Sequence, residues 1–276
     1  MKKLLYGWFG EFGWEIMTAI PEVNELQKHF DVTVLSFPSV EGMYSDMNVK
    51  FISHGLEMRA SGLGKDFKNC NFKNADLEKY SYDQLKIHYH PQSIRGMGKR
   101  PKEIRTDIPR TVNKKLILVH AREFPRTKTG RNWRDQYNAL LDYLIDRGFE
   151  IGFIGLPMHS AYVKGKGADW RSDDINVAIT KIKQAALVLG PSSGTMVLSL
   201  WCKTPIFSWS CGDQRLFHDR KKGKAWNPFK ICHYHPWSNR ETPELMKLYT
   251  TSSYKPPLAD LIRGVEVAIS SEKLES

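Results

Sequence analysis

Two stretches of the chain combine residue types that could do chemistry. The first is GWFGEFGWEIMTAIPEV (7–23), where Gly7, Gly10 and Gly13 recur every third position among aromatic residues, with Glu11 and Glu15 beside them and Pro21 beyond. Glycines permit a tight turn and a close approach of backbone to ligand. Glu15 falls at the start of a helical pattern, where the macrodipole favours a carboxylate whatever else it does. The second stretch is VLGPSSGTMVLS (188–199). An apolar run ends at Gly190, Ser192 and Ser193 offer capping hydroxyls, and Gly194 and Thr195 open a helix whose first N–H groups lack partners. Such a turn suits a phosphate or diphosphate. Taken singly, each turn also reads as plain helix capping.

Open α/β sheets bind ligands at the carboxyl ends of their strands, so the elements around the two turns decide whether they can act. KLLYGWF (3–9) reads as a buried strand, and WEIMTAIPEVNELQKHF (14–30) as a helix with apolar residues at helical spacing. DVTVLSF (31–37) and VKFIS (49–53) read as further strands, whereas 55–92 carries no clear period. A basic stretch with Pro101 and Pro109 reads as a linker. The alternation then restarts: strand KLILVHA (115–121), helix RDQYNALLDYLIDRG (134–148) stopped by Gly148, strand FEIGFIG (149–155), helix NVAITKIKQA (176–185). Strand ALVLG (186–190), helix SGTMVLSLWC (193–202) and strand TPIFSW (204–209) follow, and PLADLIRGVEVAIS (257–270) reads as a closing helix. This alternation predicts an α/β fold with parallel sheets covered on both faces. The expected division is a domain over 1–110 ending in the basic linker, a second over 111–255, and a terminal helix over 256–276.

The chain has 276 residues, 41% of them hydrophobic, enough for one large core or two small ones. No run approaches the ~18 apolar residues of a membrane span. The opening MKKLLYGWFGEFGWE starts as a secretory leader would, but glycine and glutamate interrupt it. It is expected to be part of the fold, and the protein cytoplasmic (in the host cytoplasm if phage-encoded). Cys70, Cys202, Cys211 and Cys232 are too few and too scattered for a disulfide framework. Cys211, His218, Cys232, His233 and His235 match no common zinc spacing, so no metal is expected. Charge is uneven. Residues 95–115 contribute +6 and residues 211–230 contribute +4 of a net +11, leaving the remainder nearly neutral. Such clusters point to an anionic partner, or else to a solvated linker and face.

Taken together, the two turns resemble those of the GT-B glycosyltransferases, specifically the heptosyltransferase-like group (glycosyltransferase family 9). In that family a strand and glycine turn lead to Gly-Asp, a short apolar helical segment and proline; GWEIMTAIPEV (13–23) is similar, with Glu15 in place of the aspartate and Gly13 one residue further from it. The second domain of the family opens with a strand, a loop and a basic residue two before Trp, matched here by Arg131 and Trp133 in GRNWRDQYNALLDYLIDRGFEIGFIG (130–155). Its Gly-x-Asp-Thr-Gly turn corresponds to Gly190–Gly194, where Ser192 and Ser193 replace Asp and Thr, and Val197 stands for a histidine further along the helix. The resemblance covers most of 1–40 and 115–210 and implies two Rossmann-like domains facing each other across a cleft. The substitutions imply a neutral diphosphate cradle with one donor-sugar contact fewer.

The implied chemistry is inverting transfer of a sugar from a nucleotide-diphospho-sugar donor, with no cofactor required. It needs a base for the acceptor hydroxyl and positive groups at the departing diphosphate. The resemblance assigns the base to Glu15, with Glu11 as its nearest competitor. Partial burial among Trp8, Phe9, Phe12 and Trp14 would raise the pKa of Glu15. It assigns donor binding to Gly13, Arg122, Lys128, Arg131, Ser192, Ser193, Gly194 and Thr195; arginine pairs bidentately with phosphate. His120 reads either as a helper beside Arg122 or as a satisfied strand-end residue. The acceptor has two readings. The family implies a membrane glycolipid such as a lipopolysaccharide core. Phage GT-B enzymes that glycosylate hydroxymethylated bases make double-stranded DNA the other, narrowly preferred because the chain is small and most of its net charge lies in two windows, with Arg100, Lys221, Lys222, Lys224 and Trp226 as the acceptor-binding residues. A nucleotide-binding module without catalysis stays open as a third class.

Overall fold

The computed structural model describes residues 1–55, 82–88, 103–123, 132–211, 246–251 and 255–272. They form two compact units, one of Met1–Asp107 with Asp174–Asn176, the other of Ile108–Asp173 and Val177–Ser276.

The first unit is built on a four-stranded sheet of β1 (Lys2–Trp8), β2 (Phe30–Ser36), β3 (Lys50–Ser53) and β4 (Gln84–His88), in the order β3-β2-β1-β4. Every pairing is parallel. Leu4 to Trp8 of β1 and Val32 to Ser36 of β2 are buried, the continuous runs expected of strands covered on both faces. β4 escapes the sequence pattern because it is a short edge strand with Leu85 half exposed and polar residues between the apolar ones.

The single helix expected over 14–30 is instead three pieces: α1 (Phe12–Trp14), a π-helical turn (Glu15–Ala19) and α2 (Ile20–Leu26). Pro21 explains the break. It has no N–H to give the carbonyl of Met17, and its ring crowds that carbonyl, so the ladder widens before it. Position 21 is tolerated because it lies in the first turn of α2.

The second unit carries a six-stranded parallel sheet in the order β10-β9-β8-β5-β6-β7. Its strands are β5 (Asn113–Val119), β6 (Glu150–Phe153), β7 (Ala168–Asp169), β8 (Ala185–Pro191), β9 (Ile206–Cys211) and β10 (Met246–Thr251). The helices are α3 (Asn138–Asp146), α4 (Ile175–Gln184), α5 (Gly194–Trp201) and α6 (Leu258–Glu272). β7 and β10 lack an apolar run long enough to be read as strands. Gly148 ends α3 in the left-handed conformation (φ +82°), the stop its position predicts. Leu261, Val265 and Ala268 of α6 join Ile117, Val119, Phe207 and Trp209 in one core. A Cβ at Gly264 would fall 2.4 Å from the Phe207 ring, so the small residue lets α6 lie close on β9.

The two sheets share a plan. In each, the first strand is internal, the next two continue to one side, and the fourth pairs on the other. The order therefore reverses between β1 and β4 and again between β5 and β8, and the crevice beyond such a reversal is where open sheets take ligands.

Candidate active site

In the first unit, the chain leaving β1 turns at Gly10 and enters α1, bringing Glu15 over the carboxyl ends of β1 and β2. Glu11, partly exposed, is the N-cap of α1, and its carbonyl accepts the Glu15 N–H at 3.0 Å. Gly13 is buried. The sequence expects Glu15 at the mouth of the first domain, partly buried among aromatic rings; in the structure its burial is complete. Glu15 is fully buried, and its neighbours are hydroxyls: Ser36 Oγ donates to Oε1 at 2.5 Å and Tyr44 OH donates to the same oxygen at 2.8 Å. Among the described residues Oε2 meets no hydrogen-bond partner. Burial pushes the carboxyl up to about 8, against the two hydrogen bonds, which lower it.

This shift has a measurable consequence for stability. Below about pH 4.5 the carboxyl holds its proton whether the chain is folded or not; between 4.5 and about 8 only the folded chain retains it. Stability contributed by the neutral buried acid is thus present below 4.5 and lost as pH rises through 8, by on the order of a few kcal/mol. His120 and His54 act at the other end. Burial lowers them from 6.5 to about 3 and about 4, so their contribution is present above 6.5 and lost as pH falls through those values. In thermal melts across pH, Glu15→Gln is expected to remove the alkaline loss and to melt above the parent at pH 8. Parallel curves for the two proteins would exclude a buried neutral Glu15.

In the second unit, the turn after β8 sits at the reversal point beside β5. Ser192 is fully buried and Ser193 nearly so, while Gly194 is partly exposed at the start of α5. The capping role expected for the serines is not what they do. Ser193 is the N-cap by position, with the extended backbone usual there (φ −160°, ψ 171°), but its hydroxyl forms no side-chain cap. Its Oγ shares a hydrogen bond of 2.9 Å with His120 Nδ1 at the end of β5. Ser192 donates its N–H to Trp209 O at 2.9 Å, and among the described residues its buried Oγ meets no partner. The first N–H groups of α5, from Gly194 and Thr195 onward, have no carbonyl within the helix by geometry. A buried idle hydroxyl beside such a helix start is what an anion would satisfy.

The His120 ring is enclosed. A Cβ at Gly155 (φ +122°) would fall 2.8 Å from it, and one at Gly190 (φ +158°) 2.7 Å from the His120 carbonyl. Burial lowers the ring's pKa most, and the charges of Arg122 and His159 lower it further. The turn is therefore lined by a neutral imidazole within the positive field of Arg122. Arg122 is partly exposed; its N–H donates to His120 O and its carbonyl accepts the Trp133 N–H. Trp133 Nε1 donates to Asn138 Oδ1, and its ring meets those of Tyr137 and Trp209, so this Trp is held against the core.

The structure thus gathers Ser192, Ser193, Gly194, Thr195 and Arg122 around His120 in the second unit, and holds Glu15 in the first. Lys128, Arg131, Arg100, Lys221, Lys222, Lys224 and Trp226 lie outside the described residues. So do His218, Cys232, His233 and His235; among the described residues no cluster of His, Cys, Asp and Glu could hold a metal ion. No described helix is long and apolar enough to cross a membrane. Ser36 and Tyr44 join the site without a motif to mark them. Ser36 has one signal in the sequence, its place at the carboxyl end of a strand.

No protein-family model matches the chain, and no curated protein matches it. Solved structures do. The chain is similar to a glycosyl transferase of family 9 from Veillonella parvula DSM 2008 (TM-score 0.55, 13% identity, covering 100% of this chain and 98% of that one). It is also similar to the ADP-heptose lps heptosyltransferase II of E. coli (TM-score 0.57, 11% identity, 99% and 100% covered). A third likeness is to the E. coli heptosyltransferase WaaC, solved with ADP (TM-score 0.59, 9% identity, 98% of each chain covered). Likeness at this level of identity speaks for fold. The chain has the GT-B fold, two Rossmann-like α/β units with parallel sheets, as its sequence resemblance implies.

Proposed function

We propose that the protein is an inverting glycosyltransferase that moves a hexosyl or pentosyl group from a nucleotide-diphospho-sugar to a hydroxyl acceptor. The observation that carries this reading is the turn at Ser192–Gly194. It lies at the order reversal of a GT-B second unit, with a buried Ser192 hydroxyl that meets no partner among the described residues, beside helix N–H groups that lack carbonyls within the helix, and with the Arg122 charge acting on His120. These groups would hold the diphosphate, and Lys128 and Arg131 are the cations the sequence resemblance adds to them. The acceptor oxygen attacks the anomeric carbon, the bond from that carbon to the diphosphate oxygen breaks, and the nucleoside diphosphate leaves with the electron pair. Glu15 takes the acceptor proton, and Glu11 is the second candidate. The nucleotide-sugar is a substrate, and the reaction as proposed uses no resident cofactor.

ADP-sugars are the first donors to test, since WaaC was solved with ADP. The replacement of an acid by Ser192 and of a histidine by Val197 leaves the sugar open. For the acceptor, the lipopolysaccharide enzyme among the structural neighbours favours a membrane glycolipid or saccharide. The DNA reading rests on cationic windows that fall mostly outside the described residues, and neither the family 9 enzyme nor the two heptosyltransferases lend it support. The deciding experiment is a panel of nucleotide-diphospho-sugars, scored for binding and for slow release of nucleoside diphosphate, followed by anionic glycolipid vesicles and duplex DNA as acceptors at low salt. Release from one donor, increased by glycolipid, is expected. Binding without release would indicate a non-catalytic nucleotide-binding module. Increase by duplex DNA, lost steeply as salt rises, would return the acceptor to DNA.

A further inference from the structure

Two hydroxyls on one carboxylate oxygen, with the other oxygen meeting no partner among the described residues, is an asymmetry that plain burial of an acid does not require. Ser36 is the last residue of β2 and Tyr44 the last of the 3-10 helix Pro38–Tyr44, yet both reach Glu15 Oε1, at 2.5 and 2.8 Å. Glu15 itself opens the π-helical turn, a distortion often found where a side chain must be aimed.

We propose that Ser36 and Tyr44 are positioning residues that make Glu15 a one-oxygen base: they close Oε1 and leave Oε2 as the atom that carries and takes the proton. The inference rests on the reading of Glu15 as the base. A carbonyl-type oxygen has two lone pairs, and two O–H donors fill both. A proton held by Glu15 therefore sits on Oε2; when it leaves, Oε2 presents the basic lone pairs. The same two bonds favour the anion over the neutral acid and oppose the effect of burial. They hold the carboxyl within reach of the pH at which a base is useful. The titratable groups bearing on Glu15 are Tyr44 from the 3-10 helix and Tyr6 from β1. Behind Tyr6 stands Glu22 of α2, which accepts from the Tyr6 hydroxyl at 2.8 Å and from Lys86 of β4 at 2.8 Å, with His88 Nε2 3.7 Å away.

The test is a direct titration. With the chain labelled by 13C at the glutamate carboxyl carbon, the Glu15 signal is assigned as the one lost in Glu15→Gln, and its midpoint is followed in Tyr44→Phe and Ser36→Ala. Each variant is expected to move the midpoint up by roughly one pH unit or more, and Ser36→Thr, which keeps the hydroxyl, to restore it. The pH profile of nucleoside diphosphate release from ADP- and UDP-sugars should move alkaline by the same amount, with donor KM unchanged. An unmoved midpoint in both folded variants overturns the proposal. If Glu15→Gln retains full turnover, the base reading has failed on its own ground, whatever the titration gives. If Glu15→Gln is inactive while Tyr44→Phe and Ser36→Ala leave midpoint and profile in place, the base stands and the positioning role falls.

Discussion

Glu15→Gln is expected to lower sugar transfer by roughly 10²–10⁴-fold, the range lost when a general base is removed. The substitution keeps the side chain's length and an amide oxygen able to accept from Ser36 and Tyr44, so the surrounding core changes little. What disappears is the proton acceptor. Affinity for the donor should stay near the parent's, because the turn proposed to hold the diphosphate belongs to the other unit. The informative comparison is therefore turnover at saturating donor, alongside donor binding by calorimetry. Near-normal turnover would place the base elsewhere, with Glu11, partly exposed at the N-cap four residues earlier, as the next residue to replace. Because the folded carboxyl titrates near 8, turnover of the parent should also climb through that pH, since the neutral acid cannot take a proton.

The second large effect is expected at the other turn. Replacing Gly194 with Trp should weaken nucleotide-sugar binding by roughly 100-fold or more, the scale of losing two charge-assisted hydrogen bonds. Gly194 is the partly exposed residue of the turn, flanked by Ser193 and Thr195, which are almost fully covered. A large side chain there would stand over the helix N–H groups and fill the place of the diphosphate. The fold should survive, since the residue is at a helix start and the core of α5 lies further along at Met196, Val197 and Leu200. Unchanged affinity by calorimetry, in a variant with parental circular dichroism, would remove the diphosphate from this turn. Together the two variants separate the functions: one should bind without turning over, the other should fail to bind.

The parts of this molecule that can be read from the sequence are those governed by short-range pattern. β1, β2, β5 and β8 are near-continuous apolar runs, and each of the two turns follows one of them directly, so both are legible. What cannot be read depends on residues that meet through the fold. Ser36 and Tyr44 lie 21 and 29 positions from Glu15, and nothing local marks them as its partners. Ser193 looks like a cap in isolation; the imidazole of His120, 73 positions away, redirects its hydroxyl. The π turn hides inside a good helical pattern because periodicity registers the apolar face and not the missing N–H of Pro21. β4 and β7 are short or half exposed, β10 (MKLYTT) ends in polar residues, and their pairing comes from neighbours in the sheet.

Parallel sheets also give each unit two unlike edges, and the proposed site residues lie at one of them. All strands in a sheet point the same way, so both the Glu15 turn and the Ser192–Gly194 turn leave carboxyl ends. The turns that lead into amino ends have a different character. At Gly148, just before β6, a side chain would meet nothing within 4 Å, and the same holds at Gly165, just before β7. A fluorophore or an immobilising linker is therefore better attached at the exposed neighbours Asp146 or Lys164 than at the glycines themselves, whose left-handed backbone (φ +82° and +80°) a larger residue would strain.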